Sequence, residues 1–391
     1  MNINCMNITK GLINYESIKK ILPIIIIGSG VSGLTIASKI KDKNFLILEA
    51  RDRIGGRVFT NERNMDMGAA WIHGSDSNPL NKYLNFDNLI PVSNSNPWMH
   101  SENIPIKYMC NKSSISEEKR QILASKWNAI AAKIGNIQDK TIIESFKEIV
   151  HDEDSDMCSF LYMIEVWCGG SIKNISSSFL DEINYKNALF GDYGGSHYLF
   201  KNGAKTLIDA IVNSASDKQI YDKIKYNQIV TKIIYNDYYV EVHTSDGEIY
   251  NCNQLCITVP PGPLKDITFC PPLDNKRLDS LSRIKMGSYK KIQLEFLQED
   301  IFWNDNNVPM FLTYNSKIDG EEYYLHENKD EELFPYILWN NYKYSKNKPI
   351  LEAICPADIG WKLAGMNDET IIEIVSSQLR NYYPNMPEPI A

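Results

Sequence analysis

The run Ile24-Ile25-Ile26-Ile27-Gly28-Ser29-Gly30-Val31-Ser32-Gly33, with Asn44-Phe45-Leu46-Ile47-Leu48-Glu49 behind it, decides the fold. Ile24 to Ile27 is continuously apolar, as a strand buried on both faces of a parallel sheet must be. Val31 to Ile40 reads as a helix that starts inside the glycine turn, and Asn44 to Glu49 as a second strand. Strand, turn, helix and strand fit within about thirty residues, the context that gives G-x-G-x-x-G its meaning. Gly28 permits the tight turn, Gly30 lets a pyrophosphate approach the backbone, and Gly33 lets helix pack on strand. The helix start, which includes Ser32, offers unbonded N–H groups and a partial positive charge to phosphates. Glu49 ends the second strand, where it can accept hydrogen bonds from both ribose hydroxyls. The pattern predicts an α/β dinucleotide-binding unit. The bland alternative is a glycine turn that binds nothing, and the motif does not choose between NAD and FAD.

Working outward, 391 residues suffice for two domains or one interleaved pair. Hydrophobic residues make up 43% and charged residues 23%, which suits a globular chain with a substantial core. With 41 Lys and Arg against 49 Asp and Glu, the net charge is −8. That balance argues against duplex DNA and suits a cationic ligand. Eight cysteines are scattered without a C-x-x-C, so neither a zinc site nor a disulfide framework is expected. A reduced, intracellular and cytoplasmic setting is the default. Met1 to Lys20 reads as a leader without a secretory signal. Ile21 to Ile27 is too short to span a bilayer and contains Pro23, so no membrane segment is expected.

Residues 75 to 115 read as loop-rich. Glu117 to Ile134 follows as an amphipathic helix with Leu123, Trp127, Ile130 and Ile134 on one face. Ala204 to Val212 reads as another helix. Ser245-Asp246-Gly247 signals a hairpin between Tyr238–Thr244 and Glu248–Cys252, with Gln254 to Val259 as a separate buried strand. Lys290 to Phe296 alternates strictly, with Ile292, Leu294 and Phe296 on one face and Lys291, Gln293 and Glu295 on the other. Asn367 caps a helix over Glu369 to Leu379, and the proline-bearing tail Pro384 to Ala391 reads as unstructured.

Glu49-Ala50-Arg51-Asp52-Arg53-Ile54-Gly55-Gly56-Arg57 resembles the E-A-x-x-R-x-G-G-R signature of flavin-containing amine oxidases. Gly55 and Gly56 would let the chain pass close to the cofactor, and Arg57 would offset pyrophosphate charge with its forked donors. Arg51 falls in the same stretch. Asp66-Met67-Gly68-Ala69-Ala70-Trp71-Ile72-His73-Gly74, followed by Asn78-Pro79-Leu80, looks like the segment under the flavin ring in polyamine oxidases. There Gly68 and Ala69 would admit a flat ring, Trp71 and Ile72 would continue the wall, and His73 would stand at the substrate tunnel. Val230 matches the position whose backbone contacts the adenine half. Thr258 to Lys265 and Ile267 to Pro272 resemble later family turns. Met286 to Phe296 with Phe302-Trp303 looks like the strand carrying the active-site lysine, and its register selects Lys291 over Lys290.

The resemblance implies non-covalently bound FAD in a Rossmann-type domain interleaved with an α+β substrate-binding domain. The expected boundaries are a leader at 1–20, the FAD-binding domain at 21–85 and 196–270, and the substrate-binding domain at 86–195 and 271–391. It also implies oxidation of a small-molecule amine, a polyamine foremost. Hydride would pass to flavin N5, the imine would hydrolyse, and dioxygen would become peroxide. No metal and no nucleic acid are expected. The family pattern continues with W-x-x-D-P and F-A-G-E elements beyond the point reached at Ala391, so a third FAD-domain segment is expected to be absent. The alternatives are a truncated, catalytically impaired FAD-binding or interaction protein, and a flavin oxidase of carotenoids or porphyrinogens.

Overall fold

The structure is a computed structural model describing residues 21–40, 44–93, 106–110, 113–150, 155–181, 195–215, 220–303, 308–314 and 336–391. The leader read at 1–20 lies outside them. The chain is a mixed α/β protein, with three sheets among the described residues. Its residues fall into two compact units. One runs through Ala70 and adds Lys82–Leu84 and Asn202–Met286; the other holds Trp71–Asn81, Asn85–Lys201 and Gly287–Ala391.

In the first unit, the strand Leu22–Ile27 lies between two parallel neighbours, Phe45–Leu48 and the second half of Ile249–Ile257. Ile25 and Ile26 are fully buried, which accounts for the unbroken apolar run. The helix Val31–Lys39 connects the first pair of strands. The seven-stranded sheet is completed by Ile224–Lys225 on one side and by Val240–Thr244, Val230–Tyr235 and Thr268–Cys270 on the other. One expectation is corrected here: Glu248–Cys252 and Gln254–Val259 are not two strands. Ile249–Ile257 is continuous, and Cys252 faces both Val240 across an antiparallel pairing and Leu22 across a parallel one. The polar Asn253 and Gln254 sit at exposed positions of the strand.

The second unit is built on a six-stranded sheet in the order Tyr289–Glu295, Ile350–Pro356, Tyr336–Asn341, Met310–Tyr314, Ile106–Cys110, Ser113–Ser114. Ile106–Cys110 pairs in parallel with Met310–Tyr314, so the region read as loop-rich supplies an inner strand. Its pairing partner lies some two hundred residues away, where local sequence carries no sign of it. A three-stranded sheet joins Trp71–Ile72, His197–Phe200 and Leu89–Ser93, with Pro91 tolerated on an edge strand.

The large sheet is covered on both faces. One face carries Tyr108, Leu312, Tyr336, Leu338 and Ile354 against the helices Glu117–Gly135, Ile142–Ile149 and Ser155–Cys168. Trp127 is fully buried there and stacks on Phe160 at 5.4 Å. The other face carries Ile292, Leu294, Phe311, Trp339 and Ala353 against Leu363 of the helix Ala357–Ala364 and Ile371, Val375 and Leu379 of Asp368–Arg380. The tail read as unstructured is held in place. Glu295 N donates to Ala391 O at 2.8 Å, Ile390 N donates to Glu295 O at 2.7 Å, and Arg380 pairs with Glu388. The two backbone bonds tie the tail to Glu295, at the end of the edge strand Tyr289–Glu295.

One side chain ties the helical layer to the sheet. Tyr162 OH donates to Ile354 O at 2.8 Å and accepts from Leu338 N at 3.0 Å. Tyr162→Phe should leave both buried backbone groups without this partner, at about 1–3 kcal/mol each. Urea unfolding of the two proteins measures this, and coincident midpoints would show that the hydroxyl carries no weight.

Candidate functional site

The glycine turn is crowded on one side and open on the other. A Cβ on Gly33 would meet Gly28 O at 1.9 Å, so helix and strand touch through bare backbone. Gly28 has φ +99°, and its N–H donates to Leu48 O at 2.8 Å. Thr258 Oγ1 donates to Ile27 O at 2.7 Å and would lie 2.9 Å from a Gly28 Cβ. A Cβ on Gly30, by contrast, would meet only Gly56 Cα, at 4.0 Å. Packing therefore requires glycine at 33 but not at 30. The space left open at Gly30 is what an approaching phosphate needs.

The helix Val31–Lys39 begins at Gly30 with no side-chain cap and no acidic residue in its first turn. Its leading N–H groups and partial positive charge remain available to an anion. Ser32 is exposed in that turn. Glu49 is buried, and Ser29 holds it through two bonds to Oε2, from N at 2.8 Å and from Oγ at 2.6 Å. Arg51 N donates to Oε1 at 2.9 Å. A carboxylate offers about four acceptor directions, so one, on Oε1, remains for a ribose hydroxyl. These residues fit an adenine dinucleotide.

The next segment folds back over the turn. Gly55 N donates to Ser29 O at 2.9 Å, and Gly56, at φ +59°, brings its own backbone against Gly30. Arg57 is exposed, while its carbonyl accepts from Ala69 N at 3.1 Å and leaves no room for a side chain on Gly68. Asp66 Oδ1 accepts from Thr60 Oγ1 at 2.6 Å and Ala204 N at 2.7 Å, which fixes the start of the helix Lys205–Asn213. Val230 is buried in one cluster with Ile25, Ile27 and Leu48.

The remaining candidates belong to the second unit. Trp71 stacks on His73 at 5.9 Å with planes 9° apart, and His73 meets His197 edge to face at 5.6 Å. Ile72 is buried between them in sequence. Burial pulls the His73 imidazole down to about 4, and the neighbouring His197 adds to it. Burial also lowers His197. Both rings are therefore neutral at pH 7. Lys291 lies on the six-stranded sheet, a different one from the imidazole pair. It points away from the Ile292, Leu294 and Phe296 core, with Nζ 3.5 Å from Glu352 Oε1.

Sequence reasoning missed Ser29, His197 and Glu352. Only Glu352 left a signal, as an acid inside the apolar run Ile350 to Cys355. Among the described residues no group of three or more His, Cys, Asp or Glu could hold a metal, and no helix is long and apolar enough to cross a membrane.

Gly33→Ala should cost about 2–3 kcal/mol through forced overpacking, whereas Gly30→Ala should unfold close to the parent. Denaturant midpoints of the two variants test the asymmetry; equal losses would refute it. The imidazole pair gives a pH signature. Its folded-state pKa values lie below the ordinary 6.5, so the unfolded chain binds more protons as pH falls from about 6.5 to about 4. Stability contributed by neutral His73 is complete above that window and lost on descending through it. His73→Phe should flatten the fall of the melting temperature across those pH values. Parallel curves for parent and variant would place the effect elsewhere.

Comparison with known proteins adds the chemistry. Residues 31–391 match the family model described as flavin containing amine oxidoreductase. The chain is 26% identical to polyamine oxidase 4 of Oryza sativa, over 94% of this chain and 74% of that protein. It is 22% identical to human lysine-specific histone demethylase 2, over 94% of this chain and 44% of that one. A corticosteroid-binding protein of Candida albicans is 24% identical, over 76% of this chain and 65% of its own length.

Proposed function

The chain belongs to the flavin containing amine oxidoreductase family, and from that premise we propose that it oxidises a polyamine, with non-covalently held FAD and with dioxygen as the final acceptor. The observation that carries the cofactor reading is the open face of Gly30 at an uncapped helix start, beside the buried Glu49. A bound flavin would supply the redox chemistry, taking a hydride equivalent from the carbon beside the amine nitrogen and giving the electron pair to dioxygen as peroxide.

The chain's own groups would do the rest. Gly28, Gly30, Ser32 and Gly33 would receive the pyrophosphate, with Gly56 and Arg57 closing over it. Glu49 would take the ribose, supported by Arg51 N, and Val230 would back the adenine half. Gly68, Ala69, Trp71 and Ile72 would border the ring. His73 would bind the substrate amine. As a neutral imidazole it adds no charge beside an amine that must give up its proton before it reacts. Lys291 would hold the water that serves reoxidation or imine hydrolysis. In this reading the flavin half is a Rossmann-type domain at 21–85 and 196–270, interleaved with a substrate domain at 86–195 and 271–391, and the protein works in the cytoplasm.

Two of the relatives support different outcomes. The rice protein is named a polyamine oxidase, which favours turnover. The Candida protein is named for binding, which favours a family member that holds a ligand without oxidising it. The visible spectrum of the purified protein separates these readings. A yellow protein that bleaches anaerobically with spermine and makes peroxide in air is the expected result. A folded, colourless protein that takes up no FAD sinks the oxidase reading. Lys291→Met should slow turnover on the order of 10²-fold while the bound flavin spectrum stays nearly intact. Unchanged turnover would remove the lysine from the proposal.

A further inference from the structure

Lys291 does not stand alone on its sheet face. Gln293, Glu352 and Asn340 lie directly opposite one another across three neighbouring strands, so all three share the face that carries Lys291. Glu352 has no exposed surface, and the Lys291 side chain is 7% exposed. Around the one carboxylate, Gln293 Nε2 donates to Oε2 at 2.6 Å, Asn340 Nδ2 donates to Oε1 at 2.8 Å, and Tyr342 OH donates to Oε1 at 3.2 Å. Lys291 Nζ lies 3.5 Å from Oε1. Three neutral donors hold the carboxylate through both oxygens, and the one cation pairs with it at Oε1.

We infer that Glu352 is the positioning residue for Lys291, fixing its ammonium on the sheet face and cancelling its charge there. The inference rests on the reading of Lys291 given above. Stability alone does not explain the arrangement. The other side chains of Ile350 to Cys355 are buried and apolar, and a buried ion pair is generally no more stabilising than apolar side chains of similar volume. The network does provide a fixed point. The three amide and hydroxyl donors clamp the carboxylate, and the carboxylate then sets where the flexible lysine ends. It also provides neutrality. A bare ammonium in a dry site would repel a substrate that carries several positive charges, and the paired one presents none in excess.

The test uses Lys291→Met, Glu352→Gln and the double variant, with two readouts. The first is the urea midpoint without added cofactor. Glu352→Gln should lower it, and adding Lys291→Met should raise it again, because the buried ammonium that has lost this carboxylate is then gone. Additive effects overturn the pairing. The second is the rate at which dioxygen restores the absorbance of amine-reduced, FAD-loaded protein. Glu352→Gln should slow it at least tenfold, and the double variant should be no slower than Lys291→Met. If Glu352→Gln restores absorbance at the parental rate while Lys291→Met is slow, the inference falls and the lysine reading stands. If Lys291→Met is itself at the parental rate, both fall. Should Glu352→Gln fail to fold, Glu352→Asp keeps the charge but draws it back. It should restore absorbance at an intermediate rate, and a parental rate overturns the inference.

Discussion

The carbonyl of Gly28 occupies the space in which a side chain at position 33 would begin. This exclusion ties the first helix to the first strand at van der Waals contact, so the helix starts where the strand ends. Thr258 presses on the same turn from the neighbouring strand. The turn is thus solid toward the sheet and hollow only at Gly30. A helix start without a cap normally leaves N–H groups to water; here the open space at Gly30 lies next to them. Buried Glu49 stands at the end of the adjacent strand. An open helix start and a buried carboxylate thus stand side by side, the two features on which the proposed pyrophosphate and ribose contacts rest.

Two polar sites in the second unit solve the cost of burial in opposite ways. His73 and His197 give up their charge, because desolvation penalises the imidazolium and each ring stands beside another. Lys291 and Glu352 pair charge with charge, with Gln293, Asn340 and Tyr342 donating to the carboxylate. Neither arrangement leaves an unpaired positive charge, in a chain whose net charge is −8.

What could be read in the sequence was what local sequence encodes. The glycine turn lies between two continuous apolar runs, so strand, helix and strand were legible to within a residue or two. Alternation alone put Lys291 opposite Ile292 and Leu294, and Asn367 announced its helix. The misses share a different cause. The strand Ile106–Cys110 is defined by a partner at Met310–Tyr314, and no local pattern reports such a distant pairing. Ile249–Ile257 reads as two strands locally, but its two halves are one strand that pairs with different partners, Val240–Thr244 and Leu22–Ile27. Among the functional side chains, Ser29 and His197 gain meaning only from what folding brings next to them, Glu49 and His73. Glu352 was visible as an acid in an apolar run, but only the strand register identifies its cation.

The strand Ile249–Ile257 belongs to two structures at once. Its first half closes a local hairpin with Val240–Thr244, and its second half supplies the parallel neighbour of Leu22–Ile27. The hairpin can form as soon as it is made. The N-terminal strand, fully apolar at its centre, must wait with one edge bare until residue 257 has been translated. At 5–20 residues per second that wait is roughly 10–45 s. For that time an unbroken apolar run of the nascent chain has no permanent cover on that side, so its yield in a cell depends on what shields a waiting strand as much as on the stability of the finished sheet.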